Sequence, residues 1–417
     1  MEKIKCSFCG KPQDLVKRVV AGPSVHICNE CIELCWEIVQ EDFKAIRENE
    51  AVEDQELLEL SKITPKEIYQ KLSEYVVGQE TAKKALSVSV NNHVIRMLAN
   101  ENSEDEVEIK KDNLMMVGPT GTGKTLFARV IAKILDVPII IGDATSLTEA
   151  GYVGDDVESL LVKLLAEAGG DLERAQKGII FIDEIDKISR KSENPSITRD
   201  VSGEGVQSAL LKMIEGTTVS IQTSGGRKHP NSDRVEFDTS NVLFILAGAF
   251  EGIEEIVKNR KGNKSIGFGS KSAIAEIDPN KIYSEVSAED LKKYGIMPEI
   301  LGRTPYIVKL NKLTEKDLIS VLTEPKDSII KQYKKMFAYK GKELEFEEEA
   351  LLEIAKKAIE NKTGARGLQT ILRNTFENLE FELETIEEDK LVITKDFVET
   401  KDYTKIKKSF LEKVEAV

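Results

Sequence analysis

Residues 118–125 read Gly-Pro-Thr-Gly-Thr-Gly-Lys-Thr, and no other segment restricts the fold as much. The run fits G-x-x-x-x-G-K-[ST], a loop whose glycines let backbone N–H groups wrap phosphates. Such a loop belongs between a strand and a helix. Leu114-Met115-Met116-Val117 reads as a buried strand before it, and Leu126 to Leu135 as a helix after it. Lys124 is placed to reach β/γ-phosphate oxygens and Thr125 to ligate magnesium, with Pro119, Thr120, Gly121, Thr122, Gly123 and Leu126 completing the cradle. Further on, the apolar run Ile179-Ile180-Phe181-Ile182 ends in Asp183-Glu184. A carboxylate at a strand end can hold the metal's outer shell, and its neighbour can orient and deprotonate an attacking water. The two segments together predict a site that binds a nucleoside triphosphate with magnesium and hydrolyses it.

Four of the five cysteines stand at Cys6, Cys9, Cys28 and Cys31, in the pattern C-x2-C-x18-C-x2-C. In a reducing compartment this spacing points to four thiolates around zinc rather than to disulfides, with a redox pair or buried thiols as the alternatives. A closed four-sulfur shell leaves no position for water, so the metal's role is structural. Gly10, directly after Cys9, lets the backbone turn its N–H groups toward the sulfurs. Cys35, on a helix with Trp36, reads as core, and His26 as a possible competitor that the paired cysteines make unnecessary.

At 417 residues the chain exceeds one core. No apolar run approaches the roughly 20 residues of a membrane span, and the first residues lack an apolar signal core. The expected compartment is the cytoplasm or an equivalent ATP-containing one. A net charge of −14 argues against attraction of nucleic acid over the whole surface, leaving a local basic patch open.

Four segments are expected: a metal-stapled module at 1–45, an acidic linker at 46–62, a large P-loop domain at 63–313 and a small C-terminal α+β domain at 314–417. Thr64-Pro65-Lys66-Glu67 reads as a helix start. Stretches 114–117, 139–141, 179–182 and 242–246 read as buried parallel strands alternating with helices. The fold class is therefore α/β with a parallel sheet, flanked by two smaller units. In the small domain, Thr314 caps a long charged helix, Glu343 to Phe346 forms a strand, 347–361 is helical, another helix opens at Gly364, and Lys390 to Thr394 is the closing strand.

Several further segments recur in order: Tyr75-Val76-Val77-Gly78-Gln79, Gly151-Tyr152-Val153-Gly154, Gly226-Arg227-Lys228-His229-Pro230, Ile266-Gly267-Phe268-Gly269, Pro298-Glu299-Ile300-Leu301-Gly302-Arg303 and Gly364-Ala365-Arg366-Gly367-Leu368. With these, nearly the whole chain resembles the AAA+ ATPases, and among them the ClpX-type protein unfoldases that feed the ClpP peptidase. The resemblance implies a homohexamer, with the zinc module pairing with itself and receiving adaptors or substrates. It adds Val76 and Val77 to the nucleotide pocket. It makes Arg303 an arginine finger for a neighbour's γ-phosphate and Arg366 a phosphate contact in cis. Tyr152 and Val153 become a pore loop, Arg227, Lys228 and His229 a loop that selects substrate tails, and Ile266, Gly267 and Phe268 the peptidase-docking tip. Read from residues alone, Tyr152 packs beside a tight turn, Arg227-Lys228-His229 is a solvated loop, Phe268 packs internally, and the two arginines are surface ion pairs. One departure stands out: Val242 to Phe250 carries no Asn or Thr where many AAA+ strands end in a polar sensor.

The resemblance implies an ATP-driven unfoldase and translocase that also acts as a chaperone. A nucleic-acid motor or loader shares the P-loop fold; the acidic balance and the lack of aromatics interleaved with Lys/Arg weigh against it. A GTPase switch lacks its Asn-Lys-x-Asp guanine-reading segment.

Overall fold

The apolar runs of the sequence become strands that meet at one edge of a single sheet. The computed structural model describes residues 4–37, 62–102, 109–148, 155–189, 203–222, 234–262, 278–361 and 363–409. They fall into two compact units, Met1–Lys62 and Ile63–Val417. In the first, strands β1 (Val19–Ala21) and β2 (His26–Cys28) pair antiparallel, and residues 29–37 are helical. Cys35 is half-buried and Trp36 is 59% exposed, so the expected core position there is not formed among the described residues. A module this short has too little interior to cover a tryptophan.

In the second unit the central strands are β3 (Leu114–Val117), β4 (Ile139–Asp143), β7 (Ile179–Asp183), β10 (Leu243–Gly248) and β11 (Tyr306–Lys309). The remaining strands of this region pair apart from them: β5 (Leu147–Thr148) with β6 (Asp155–Asp156), and β8 (Thr218–Gln222) with β9 (Arg234–Asp238). The five-stranded sheet has the order β4-β7-β10-β3-β11 and is parallel throughout. Every residue of β3 and β10 is buried, as a strand covered on both faces requires. Strand β11 was not expected from sequence. Tyr306-Ile307-Val308-Lys309 is short, half-buried and follows Thr304-Pro305, so its apolar signal is weak.

Thr64 caps the helix Pro65–Ser73 with a full capping box through Glu67, and Pro65 stands at its first turn. In the C-terminal region, Thr314 closes a capping box with Asp317 on the helix Glu315–Thr323. The single long helix expected here is two helices. Pro325 has no N–H with which to continue the helix past Glu324, and Ser328 caps a second helix, Ile329–Tyr339. Strands β12 (Glu343–Phe346), β13 (Lys390–Ile393) and β14 (Lys407–Ser409) form a small sheet in that order. Strand β14, not β13, closes it. The core packs around Phe376, whose ring lies 5.0–5.8 Å from those of Tyr333, Phe337, Phe346 and Phe397. Among the described residues, no helix is long and apolar enough to cross a membrane.

Candidate functional site

Register puts the chemistry at the carboxyl edge of the central sheet. Gly248 of β10 is level with Val117 of β3, and Leu246 with Ile182 of β7. The loop after Val117 therefore opens beside Asp183 and the end of β10; Gly118 N–H donates to the Gly248 carbonyl at 3.3 Å. Ligands of open parallel sheets bind at this edge. Gly123 precedes the helix Lys124–Leu135, so its first N–H groups face the loop. Lys124 is buried and lies back along the loop, donating to the carbonyls of Gly118 at 2.6 Å and Pro119 at 3.0 Å. Burial pushes its ammonium below the ordinary lysine value, while the carboxylates of Asp183 and Asp186 act the other way. A phosphate would compete with those two carbonyls for the same cation.

Thr125 Oγ1 lies 3.4 Å from Asp183 Oδ2, so residues predicted from two distant motifs meet. A hydroxyl beside a carboxylate is a hard-oxygen donor pair, suited to Mg2+. Glu184 N–H donates to Asp183 Oδ1 at 2.9 Å, and Glu184 itself is exposed with φ 58° and ψ 30°. That left-handed backbone is disfavoured for a residue with a side chain, and such strain concentrates at functional sites. Of the five described non-glycine residues with positive φ, Asp136 and Lys401 end helices. The other three, Gln79, Glu184 and Phe250, lie just before the helix Glu80–Asn102, after β7 and after β10.

Asp186 escaped the motif reading. It is 3% exposed, and its Oδ1 accepts the Ala249 N–H at 3.1 Å, while Lys187 pairs with Oδ2 at 3.7 Å. It fastens the end of β10, where no polar sensor side chain stands. The i, i+3 spacing from Asp183 was its only sequence signal.

The small domain reaches the same loop. Gly121 has φ +77°, and a Cβ there would lie 2.5 Å from the Thr363 carbonyl oxygen and 3.1 Å from Gly364 Cα. The approach is sealed by Ala365 N–H donating to the Gly121 carbonyl at 3.1 Å. Ala365 opens the helix Ala365–Phe381, so exposed Arg366 sits in its first turn, within reach of the phosphate loop. Residues 75–79 sit at the same junction. Val76 is buried and Val77 half-buried; the Gln79 amide exchanges two hydrogen bonds with the Asn311 backbone, at 2.8 and 3.0 Å.

Arg303 lies elsewhere. Its carbonyl accepts from Asn113 N–H at 3.3 Å and from Asn113 Nδ2 at 3.1 Å, and Asn113 precedes β3. The four residues of β3, about 13 Å of strand, separate it from the P-loop. Arg303 is at the wrong end of the sheet to touch phosphates held by its own chain.

In the first unit, the sulfurs of Cys6, Cys9, Cys28 and Cys31 all lie within 4.8 Å of one another. Cys6 and Cys31 are 3.9 Å apart, Cys9 and Cys28 3.7 Å. A tetrahedron with bonds of about 2.3 Å to zinc puts its sulfurs about 3.8 Å apart, so the donor set fits. The Cys9 backbone N–H, above all, draws the Cys6 thiol down to about 6, and Cys28 N–H also donates to it at 3.3 Å. Burial pushes Cys31 the other way. His26 does not join the cluster.

Tyr152, Val153, Arg227, Lys228, His229, Ile266, Gly267 and Phe268, and the acidic stretch 46–61, lie outside the described residues.

Three family models match along the chain. Residues 4–41 match the ClpX C4-type zinc finger, 109–307 the AAA domain (Cdc48 subfamily), and 313–383 the C-terminal, D2-small domain, of ClpB protein. The ATP-dependent Clp protease ATP-binding subunit ClpX of Treponema denticola is 48% identical over 396 residues, spanning 94% of this chain and 93% of the relative. The chain belongs to the ClpX family. Like ClpX, it is an AAA+ ATPase with an N-terminal four-cysteine zinc finger and a small C-terminal domain. ATP with Mg2+ and structural Zn2+ are accordingly its cofactors.

Proposed function

We propose that this chain is an ATP-driven protein unfoldase and translocase, working as a cytoplasmic homohexamer that threads substrates into a ClpP-type peptidase and also acts as a chaperone. The observation that carries this reading is the meeting of Thr125 with Asp183 beneath an exposed, left-handed Glu184, in a chain of the ClpX family. Lys124 binds the β/γ oxygens as it leaves the Gly118 and Pro119 carbonyls. Thr125 and Asp183 would hold magnesium, which neutralises phosphate charge. Glu184 takes the proton of a water whose oxygen attacks the γ-phosphorus, and the bond to the bridging oxygen breaks to release ADP.

Arg303 of one chain would serve the phosphates of the next, which agrees with its distance from its own P-loop. Arg366 and the Gly121–Ala365 contact would carry the change in phosphate state to the small domain. The functional segments are 1–45, a zinc module that dimerises and receives adaptors; 46–62, a linker; 63–313, the motor domain; and 314–417, its small partner. Tyr152 and Val153 grip the polypeptide, Arg227, Lys228 and His229 select tails, and Ile266, Gly267 and Phe268 dock the peptidase. The test supplies ATP, a tailed fluorescent reporter and a ClpP-type peptidase. Fluorescence should fall with the native chain and persist with Phe268→Ala, while Tyr152→Ala should keep its ATPase yet unfold poorly. An ATPase stimulated by DNA and not by unfolded protein would overturn the proposal.

A further inference from the structure

We propose that Glu215 is a positioning residue for Arg303, holding its guanidinium where a second copy of this chain can use it. The proposal rests on reading Arg303 as the arginine supplied in trans. Glu215 ends the helix Glu204–Glu215, which is pinned at both ends. Near its start, Gln207 is wholly buried; its Nε2 donates to the Ile188 carbonyl at 2.8 Å and the Gly295 carbonyl at 3.3 Å, and its Oε1 accepts Met297 N–H at 2.9 Å. At its end, the Asn113 amide, also wholly buried, donates to the carbonyls of Ile214 and Arg303, each at 3.1 Å, and accepts Phe244 N–H at 3.3 Å. One side chain thus fixes the backbones of Glu215's neighbour and of Arg303 together.

Across that junction, Glu215 Oε1 receives Arg303 Nε at 3.1 Å and Nη2 at 3.0 Å, while Nη1 takes no part in the pair. Both side chains are partly exposed, and such pairs add little to stability. The backbone here is secured without it. What the pair does is remove rotamer freedom from a long side chain before it is needed. It also answers a local imbalance. Arg303 shares a depression of about 200 Å³ with Arg96, Lys110 and Lys111, and among the described residues lining it Glu215 is the only carboxylate. Without that carboxylate the charges of Arg96 and Lys110 would drive the guanidinium outward, while burial draws Lys111 down to about 7 and weakens its share.

In the full-length chain, Glu215→Gln should lower kcat for ATP about 10-fold, with ATP affinity and urea midpoint unchanged; misplacement of a catalytic group by about 1 Å has effects of up to about 100-fold. Glu215→Asp, which keeps the charge, should recover part of the loss. The deciding measurement mixes Glu215→Gln chains with an excess of Glu184→Gln chains, whose arginines are intact and whose own sites are silent. If Glu215 acts through Arg303 on the next chain, the rate per Glu215→Gln chain should rise several-fold, as it should for Arg303→Ala chains in the same mixture. Rescue of Arg303→Ala but not of Glu215→Gln overturns the proposal and leaves the arginine's role standing. Rescue of neither overturns both. Full activity of Glu215→Gln by itself also overturns it.

Discussion

Replacing Gly121 by alanine should open the contact between the phosphate loop and the small domain, and Gly123→Ala is its internal control. Both glycines hold positive φ, +77° and +96°. A side chain in that region is worth about 1–2 kcal/mol of strain. At Gly123 this is the whole effect, because a Cβ there meets nothing within 4 Å. At Gly121 the new methyl would stand 2.5 Å from the Thr363 carbonyl and 3.3 Å from Ala365 N. These are backbone atoms and cannot rotate aside. The contact must part, and the Ala365 N–H bond to Gly121, worth about 1 kcal/mol, is lost with it. Gly121→Ala should therefore destabilise the nucleotide-free unit by about 2–3 kcal/mol and Gly123→Ala by about 1–2 kcal/mol. Urea unfolding followed by far-UV circular dichroism measures the difference. Tryptophan emission does not, because the single tryptophan, Trp36, lies in the other unit. Equal losses for the two variants would refute the reasoning.

Glu184→Gln should bind ATP as the native chain does and hydrolyse it about 100-fold more slowly or worse, read by nucleotide binding and phosphate release; retained turnover would remove Glu184 from water activation. Chelation, or Cys28→Ser, should unfold the cysteine module and shift Trp36 emission while the Ile63–Val417 unit keeps its urea transition, and metal analysis of the native protein should find about one zinc per chain. Burial holds His93 down at about 3, against 6.5 when unfolded, with Arg96 and Lys111 adding to the effect. The unfolded chain thus takes the proton first as pH falls below 6.5, and stability drops by about 2 kcal/mol at pH 5. His93→Leu should remove that part of the difference between unfolding at pH 7.5 and pH 5; an undiminished difference would refute it.

The legible parts of the chain were those where local chemistry dictates local shape. The P-loop, the carboxylates at the end of β7 and the cysteine pairs are each recognisable from a few residues. Capping at Thr64 and Thr314 was equally plain, since Ser/Thr with an acid three residues on satisfies helix-end N–H groups whatever surrounds it. Asn113, Gln207 and Asp186 were not legible. Each is a buried polar side chain whose partners come from distant segments, so its meaning exists only after the sheet has formed. Strand β11 was missed because an edge strand needs less apolar sequence than a central one. The break at Pro325 was overlooked for the charged periodicity around it, although the residue type alone argues against a continuous helix.

The left-handed backbone at Glu184 also bears on how this protein can change. Glycine would occupy that conformation without steric conflict, so Glu184→Gly relieves tension in the fold while deleting the carboxylate that the proposed hydrolysis uses. Resilience and turnover are opposed at this one position. If the proposed role of Glu184 holds, selection for heat tolerance alone would drift toward a sturdier, idle ATPase, and a demand for turnover would keep the acid in place.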